Sequence, residues 1–423
     1  LAPKIKVGTL VVMSGMIALT CIRTGFGLDE VGFYRWVGQR MTKSTFYKDN
    51  YVNPADVNVR FEGEKKNLIY IFCESMESSY ADQEHGGFFE ESLIPNMQRM
   101  SVLNNSFTDD ETVNGAYSAE GTGWTTGALL AQTSGTPMIY IEPHGQRDGT
   151  QGDWVLEDRF LPELVTLGDI LEANGYNNSF LCGSNALYGG RANYFQQNGN
   201  YTIYDHAYMK ESGHLPENEE EWKCWWGNVD KYLFEAAKSI VTEASEKDEP
   251  FNLTMLTIDT HFPDGYVCPD CEDLHNGDTM KNAISCSEKR VYEFVKWIQE
   301  QPFYEDTVVV VAGDHPTMAT NLGREMKGFD RKVYFTIVNG PDYNGPKRTY
   351  TTMDIFPTVV TAVGATFDGT RLGLGTNLYS EEPTLVESMG IDNLNEQIPL
   401  GNDWFIKEVL KSDTDNQGKI GEQ

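Results

Sequence analysis

Several apolar runs along the chain contain almost no alternating polar positions. A strand that is buried on both faces has this pattern, whereas a strand with one solvent face alternates. The runs are Asn67–Cys73, 251–258, 307–312, Val333–Val338 and, more weakly, 178–182. Helical spacing falls between them, at 29–42, 95–104, 123–132, 161–174, 229–244, 285–300 and 353–363. Strands that alternate with helices predict an α/β fold, a mainly parallel central sheet with helices on both faces.

Three of the predicted strands run directly into residues that can ligate a metal ion. Glu74 follows the first run, Asp259 and His261 follow the second, and Asp314 and His315 follow the third. Chemistry gathers beyond the carboxyl ends of the strands in such sheets, so we expect these side chains to converge. Carboxylates with one imidazole suit Mn²⁺, Mg²⁺ or Zn²⁺. For one Asp-His pair alone, a hydrogen-bonded loop would be the favoured interpretation.

A fourth segment, EGTGWTTGALL, places Thr122 between two glycines at the start of a helical stretch. The free N–H groups of a helix N-terminus attract phosphate. A hydroxyl at that position becomes a useful nucleophile when a metal ion lowers its pKa. An ordinary threonine cap is the alternative interpretation.

Composition narrows the class of protein and of substrate. The 423 residues include 33 Lys and Arg against 63 Asp and Glu, a formal net charge of −30. Such a surface repels phosphate backbones and argues against general nucleic-acid binding. The 40% hydrophobic and 12% aromatic content is that of a globular chain, neither disordered nor polytopic in the membrane. A small anionic substrate remains compatible where a metal ion or arginines reverse the local field.

The sequence has seven cysteines, and their number and spacing do not fix which of them form disulfides. Cys268, Cys271 and Cys286 share a polar stretch and predict one disulfide, with a zinc site as the alternative. The sequence leaves open which residues pair among Cys182, Cys224, Cys268, Cys271 and Cys286.

The domain organisation is expected to have four parts. Residues 1–50 form a membrane-proximal segment, 51–66 a linker, 67–380 the catalytic domain and 381–423 a C-terminal extension. The uncharged run 7–22 has basic flanks, which favours the end of a membrane anchor over a soluble core helix.

Further candidates are an aromatic cluster and a polar loop. Trp222, Trp225 and Trp226 could form a sugar or lipid platform or pack in the core. His144 and Arg147 could line the cleft or lie on a surface loop.

Taken together and in order, these motifs resemble the alkaline phosphatase/sulfatase superfamily. They are Glu74 after a strand, GTGWT at 121–125, HFP at 261–263, GDH at 313–315 and DIFPT at 354–358. Within it the chain is similar to the lipoteichoic acid synthase and phosphoglycerol transferase family over about residues 65–380. SMES at 75–78 and GTGWT resemble the transferases that act on cell-wall polysaccharides and osmoregulated glucans. The C-x-P-x-R motif of sulfatases is absent from the sequence, which disfavours sulfatase activity.

The resemblance implies a site and a reaction. It implies one Mn²⁺, with Mg²⁺ or Zn²⁺ possible, and Thr122 as nucleophile. Its implied metal ligands are Glu74, Thr122, Asp314 and His315, and its implied substrate-binding residues are His261 and Arg191. A second metal lacks a recognisable ligand set in the sequence.

The function expected from these implications is an extracytoplasmic, membrane-tethered phosphoglycerol transferase. It would move glycerol phosphate from phosphatidylglycerol to a cell-envelope glycan or polyglycerol phosphate through a phospho-threonine. The alternatives are a phosphoethanolamine transferase or phosphodiesterase of the same superfamily and, from another class, a non-catalytic envelope glycan-binding domain.

Overall fold

The computed structural model describes residues 33–139, 161, 163–224 and 226–410. Its strands, in chain order, are β1 Val59–Phe61, β2 Asn67–Cys73, β3 Gly115–Tyr117, β4 Asn177–Cys182, β5 Thr202–Tyr204, β6 Lys223–Cys224, β7 Gly227–Asn228, β8 Phe251–Leu256, β9 Thr307–Gly313, β10 Val333–Val338, β11 Tyr350–Thr351, β12 Ala365–Phe367, β13 Arg371–Leu372 and β14 Gly375–Thr376.

An eight-stranded sheet forms the centre of the molecule, in the order β11-β3-β10-β9-β2-β8-β4-β5. Every neighbouring pair is parallel except the two that involve β10, which runs antiparallel to β9 and to β3. The prediction of a mainly parallel central sheet is confirmed, and all five predicted apolar runs are strands of it.

Helices cover both faces of this sheet, as predicted. They are α1 Phe33–Met41, α2 Phe46–Asn50, α3 Pro95–Leu103, α4 Thr125–Ser134, α5 Leu167–Ala173, α6 Arg191–Gln197, α7 His206–Glu211, α8 Asp230–Ser245, α9 Thr279–Gln299, α10 Thr320–Glu325, α11 Ile355–Ala362, α12 Leu385–Met389 and α13 Ile391–Gln397, with a π-helical turn at Phe405–Leu410.

Strand β2 shows why its sequence has no polar alternation. Leu68 and Phe72 pack into one core with α4, α5, α6 and α11, while Ile69 and Ile71 pack into a second core with α3, α8 and α9. Since successive side chains point to opposite faces, a strand between two cores must be apolar at every position.

Two helices begin six residues away from the start that their spacing predicted. The helix predicted at 161–174 begins only at Leu167, where Thr166 and Asp169 form a capping box. The helix predicted at 285–300 begins earlier, at Thr279, where the Asp278 side chain accepts a hydrogen bond from the Lys281 N–H. In both cases the capping group sets the start, because it satisfies backbone N–H groups that the helix leaves unpaired.

The segments on either side of the predicted catalytic domain contact its core. Strand β1 pairs antiparallel with β12, and the Tyr47 ring stacks on Phe405 with centroids 4.1 Å apart. The four-part division stays a prediction. The run 7–22 lies outside the described residues, and among the helices described here none has the length and apolar character needed to cross a membrane.

Candidate active site

Parallel register brings the first two acidic residues of the site together. Strands β2 and β9 are neighbours, and Cys73 pairs with Gly313, so Glu74 and Asp314 leave the sheet side by side. Ser75 then adopts a left-handed conformation, with φ of 51°, and its N–H donates to Asp314 Oδ1 at 2.7 Å. This turn points the chain after β2 toward the end of β9 instead of letting it continue past the sheet.

Glu74, Asp314 and His315 form one buried cluster. His315 Nε2 lies 3.5 Å from Glu74 Oε1 and 3.4 Å from Asp314 Oδ2. One potential ligand atom from each of the three residues falls within 4.8 Å of the others. All three side chains are almost completely excluded from solvent.

The cluster has the chemistry of a divalent-cation site. Asp314 Oδ1 accepts the backbone N–H groups of Ser75 and His315, whereas the buried Oδ2 has no hydrogen-bond partner in the described part of the chain. His315 Nδ1 lies 3.0 Å from the Pro316 carbonyl, which leaves Nε2 directed at the two carboxylates. An unpaired buried carboxylate oxygen is costly, and a metal ion among these donors would remove that cost.

The pKa shifts agree with a site of excess negative charge. Burial, reinforced by the Glu74 carboxylate, raises the pKa of Asp314 to about 7. Burial alone would lower the pKa of His315, but the Asp314 and Glu74 carboxylates outweigh it and raise that pKa. Two acids and one imidazole in a solvent-excluded cluster favour a bound cation.

The structure corrects the threonine of the predicted set. Thr122 is fully buried away from the cluster, and its hydroxyl lies 2.9 Å from the Ala119 carbonyl and 3.1 Å from Thr352 Oγ1. Thr125 takes the expected place, with Oγ1 3.4 Å from both Glu74 Oε2 and His315 Nε2. Helix α4 begins at Thr125, not at the predicted position 123, so Thr125 is the threonine in its first turn.

His261 is tied to the same centre through the end of β8. The Thr257 hydroxyl accepts the Glu74 N–H at 3.0 Å, and the Thr260 hydroxyl donates to the Glu74 carbonyl. The His261 ring stacks on Trp226, with centroids 4.3 Å apart, and its Nδ1 lies 2.7 Å from the Phe262 carbonyl. These contacts hold the imidazole beside the chain that carries Glu74.

Arg191 holds the loop before α6. The side chain is 2% exposed; its Nε donates to the Tyr188 carbonyl at 2.9 Å, and its Nη2 donates to Ser184 Oγ at 3.0 Å and the Asn185 carbonyl at 2.7 Å. The Gly189 carbonyl of this loop accepts the Thr126 hydroxyl at 3.2 Å, which brings the loop to the first turn of α4. The geometry gives Arg191 a structural task, and its contact with phosphate stays a prediction.

The tryptophans of the predicted aromatic cluster have different surroundings in the structure. Trp222 is a core residue whose Nε1 donates to the Pro216 carbonyl at 2.9 Å, whereas Trp226 faces His261. Trp225, His144 and Arg147 lie outside the described residues.

Glu77 is a residue to which the sequence assigned no role. Its fully buried carboxylate accepts hydrogen bonds from Arg331 Nε at 2.9 Å, from Arg331 Nη2 at 2.5 Å and from the Thr317 N–H at 2.9 Å. It therefore ties the chain after β2 to the chain just beyond His315. Four acidic or hydroxyl residues at 74–78 were the only signal available, and they do not show which one points inward.

An open groove of about 590 Å³ adjoins the start of α4. Trp36 and Arg40 from α1, Glu120 and Trp124 from the loop before α4, and Asn395 from α13 contribute to its walls. Trp124, which lines the groove, immediately precedes Thr125 in the sequence.

Comparison with known proteins places this geometry in a family. The family model described as Sulfatase matches residues 66–365, the segment that carries the sheet and every ligand of the cluster. The chain belongs to the sulfatase family. Because the sulfatase C-x-P-x-R motif is missing, membership in the family does not by itself indicate sulfate ester hydrolysis.

Curated relatives of this sulfatase-family chain include two named phosphoglycerol transferase I. The protein from Xanthomonas axonopodis pv. citri is 29% identical over 61% of the chain and 35% of its own length. The protein from Escherichia coli O6:K15:H31 is 28% identical over 75% and 39%. The chain thus spans little more than a third of the length of these relatives.

Solved structures share the fold. A protein in the alkaline phosphatase superfamily from Vibrio parahaemolyticus superposes with a TM-score of 0.56 at 19% identity, covering 78% of this chain and 74% of that one. The lipoteichoic acid synthase LtaP from Listeria monocytogenes gives 0.54 at 17% identity, covering 77% and 79%.

Proposed function

We propose that this chain is the catalytic part of a metal-dependent phosphoglycerol transferase, with Thr125 as its nucleophile. The observation that carries the proposal is the position of the Thr125 hydroxyl, 3.4 Å from both Glu74 and His315, in the first turn of α4. The names of the curated relatives support the reaction class, which the fold alone would leave open.

The metal site in this proposal consists of Glu74, Asp314 and His315, with the Thr125 hydroxyl beside them. Mn²⁺ is the proposed ion, and Mg²⁺ or Zn²⁺ also suits this donor set. A divalent cation bound there supplies Lewis-acid stabilisation of phosphate charge and lowers the pKa of a neighbouring hydroxyl.

Each half of the reaction exchanges one ester bond to phosphorus. Thr125 Oγ1 forms a bond to the phosphorus of the phosphatidylglycerol headgroup, and the bond from phosphorus to the diacylglycerol oxygen breaks. The proton of the threonine ends on the departing diacylglycerol. A hydroxyl oxygen of the acceptor then forms a bond to the phosphorus, the bond from phosphorus to Thr125 Oγ1 breaks, and the acceptor's proton ends on Thr125. We assign the contact with the phosphate oxygens to His261, held near by Trp226, and keep Arg191 as a second candidate.

The proposed acceptor is a cell-envelope glycan or polyglycerol phosphate, and the proposed location is the outer side of the cell membrane. The groove beside Trp124 is the proposed route of the acceptor, since two tryptophans with amide, carboxylate and guanidinium groups suit a sugar or polyol chain.

Thr125→Ala tests the proposal, and Thr122→Ala in the same motif is the matched control. With phosphatidylglycerol vesicles and Mn²⁺, we expect Thr125→Ala to lose diacylglycerol release by a factor of about 10³ or more. Thr122→Ala should keep release within a few-fold and lose about 1 kcal/mol of stability through its buried hydrogen bonds. Peptide mass mapping should find the glycerophosphoryl adduct on Thr125.

Two results would count against this assignment. Normal turnover by Thr125→Ala would exclude it as the nucleophile, and loss of turnover by a folded Thr122→Ala would restore Thr122. Parallel vesicles with phosphatidylethanolamine test the alternative donor, because a phosphoethanolamine transferase would leave its own headgroup on the same threonine.

A further inference from the structure

Three sulfur atoms meet beneath the loop that follows His261. A disulfide joins Cys271 to Cys286, and so ties this loop to α9. Cys268 is a free, buried thiol whose Sγ lies 3.4 Å from Cys271 Sγ and 3.9 Å from Cys286 Sγ. A thiol this close to a disulfide has the partners for thiol–disulfide exchange in van der Waals reach.

Arg290 contacts the free sulfur of this cluster. It lies one helical turn after Cys286 on α9, and its Nη2 is 2.6 Å from Cys268 Sγ. Thiol–disulfide exchange proceeds through the thiolate of the attacking cysteine, and this guanidinium is a donor placed against the sulfur that would attack. The same positive charge disfavours a metal ion bound by the three sulfurs. Other ionisable groups that act on this cluster include Asp270, 4.0 Å from Arg290, and the side chains of Asp259, Asp230 and Tyr266.

We propose that Cys268, Cys271 and Cys286 form an intramolecular thiol–disulfide exchange site. Once the Cys268 side chain turns its sulfur into line with the Cys271–Cys286 bond, the Cys268 thiolate attacks Cys271 Sγ, a bond forms between these two sulfurs, the Cys271–Cys286 bond breaks, and Cys286 leaves as a thiolate. One disulfide and one thiolate are present before and after, so the step needs no oxidant or reductant. The backbone accommodates the new pair, because the Cys271 N–H already donates to the Cys268 carbonyl at 3.0 Å in a tight turn.

The exchange changes what holds the segment after β8. In one state the segment is linked to α9, and in the other it is closed on itself between Cys268 and Cys271. The same segment contains His261, whose carbonyl accepts the Gly265 N–H at 3.0 Å. The two pairings therefore place different restraints on the loop that carries His261, whether or not the proposed transferase activity is correct.

Acid quenching followed by denaturation, alkylation and peptide mass mapping reads out the pairing. In the purified, unreduced protein we expect two populations, one alkylated at Cys268 and one at Cys286. Cys286→Ser should contain a Cys268–Cys271 disulfide, and Cys268→Ser should contain only Cys271–Cys286. Complete alkylation of the buried thiols Cys73 and Cys182 in every sample shows that labelling went to completion.

Substitutions of Arg290 distinguish an exchange site from a purely structural disulfide. The Arg290 hydrogen bond to Cys268 Sγ belongs to the state in which Cys271 is paired with Cys286. Arg290→Gln should therefore raise the ratio of Cys286-labelled to Cys268-labelled protein about tenfold, whereas Arg290→Lys should keep it near the wild-type value.

Three outcomes would overturn the proposal. Alkylation confined to Cys268 in both wild type and Arg290→Gln would show a static disulfide. Two free thiols in Cys286→Ser would show that Cys268 and Cys271 do not pair. Stoichiometric zinc, with all three cysteines alkylated after denaturation, would make the cluster a metal site.

Discussion

Replacing Glu77 by Gln tests whether the ion pair between its buried carboxylate and the partly buried Arg331 supports the cluster of Glu74, Asp314 and His315. The substitution keeps the size of the side chain but removes its charge, and it places an amide group against a guanidinium donor. The Thr317 N–H and both Arg331 nitrogens then lose a charged acceptor in a site where Glu77 is fully buried. Breaking one partner of a buried pair costs about 3–5 kcal/mol.

This cost translates into a measurable melting shift. At about 2.1 cal/mol/K per residue, the unfolding entropy of 423 residues is about 0.9 kcal/mol/K, so Glu77→Gln should lower Tm by about 3–6 °C. Scanning calorimetry measures it, and Glu84→Gln, the same change at an exposed carboxylate, should move Tm by less than about 1 °C. Mn²⁺ affinity should fall about tenfold. Glu77 accepts the Thr317 N–H, and Thr317 lies two residues after His315, so losing this contact loosens the chain that carries the proposed ligand. A Glu77→Gln protein that melts with the wild type and binds Mn²⁺ equally well would refute this reasoning.

Three further predictions concern pH, the metal and the groove. Burial raises the pKa of Glu288 to about 7, so between about pH 4 and 7 the folded state keeps a proton that the unfolded chain has lost. The free energy of unfolding should therefore fall by up to about 3 kcal/mol as the pH rises through this range. Glu288→Gln should flatten that part of the pH profile measured by calorimetry. Mn²⁺ at about 100 times its Kd should stabilise the wild type by about 2.7 kcal/mol in a thermal-shift titration, and Glu74→Gln should abolish the shift; an unchanged shift would place the ion elsewhere. Trp36→Ala should slow the transfer of glycerol phosphate to the acceptor while leaving the rate of Thr125 adduct formation unchanged. Met41 is 77% exposed on the same helix, and Met41→Ala should change neither rate. An equal loss of both rates in Trp36→Ala would argue against a separate acceptor groove.

Local sequence was sufficient for the sheet and for the meeting of Glu74, Asp314 and His315 at its edge. The apolar runs are continuous because both faces of the central strands are buried, and this pattern is visible without coordinates. Parallel strands then bring their carboxyl ends to one edge, so residues such as Glu74 and Asp314 could be expected to meet although they are far apart in the chain.

Which threonine points at the cluster was decided only by the tertiary structure. GTGWTT offers hydroxyls at 122, 125 and 126, and the spacing does not say where the helix begins. Gly121 takes a left-handed φ of 80°, and α4 starts at Thr125, which turns Thr122 into the core and Thr125 toward Glu74.

The same limit applies to the long polar side chains and to the cysteines. Glu77 and Cys268 are each compatible with several partners as residue types, and their chain neighbours do not choose among them. Their partners come from distant segments, such as Arg331 for Glu77 and Arg290 for Cys268. Hydrophobic periodicity is a property of neighbouring residues and so can be read along the chain, whereas a buried polar contact depends on which segments the completed fold brings together.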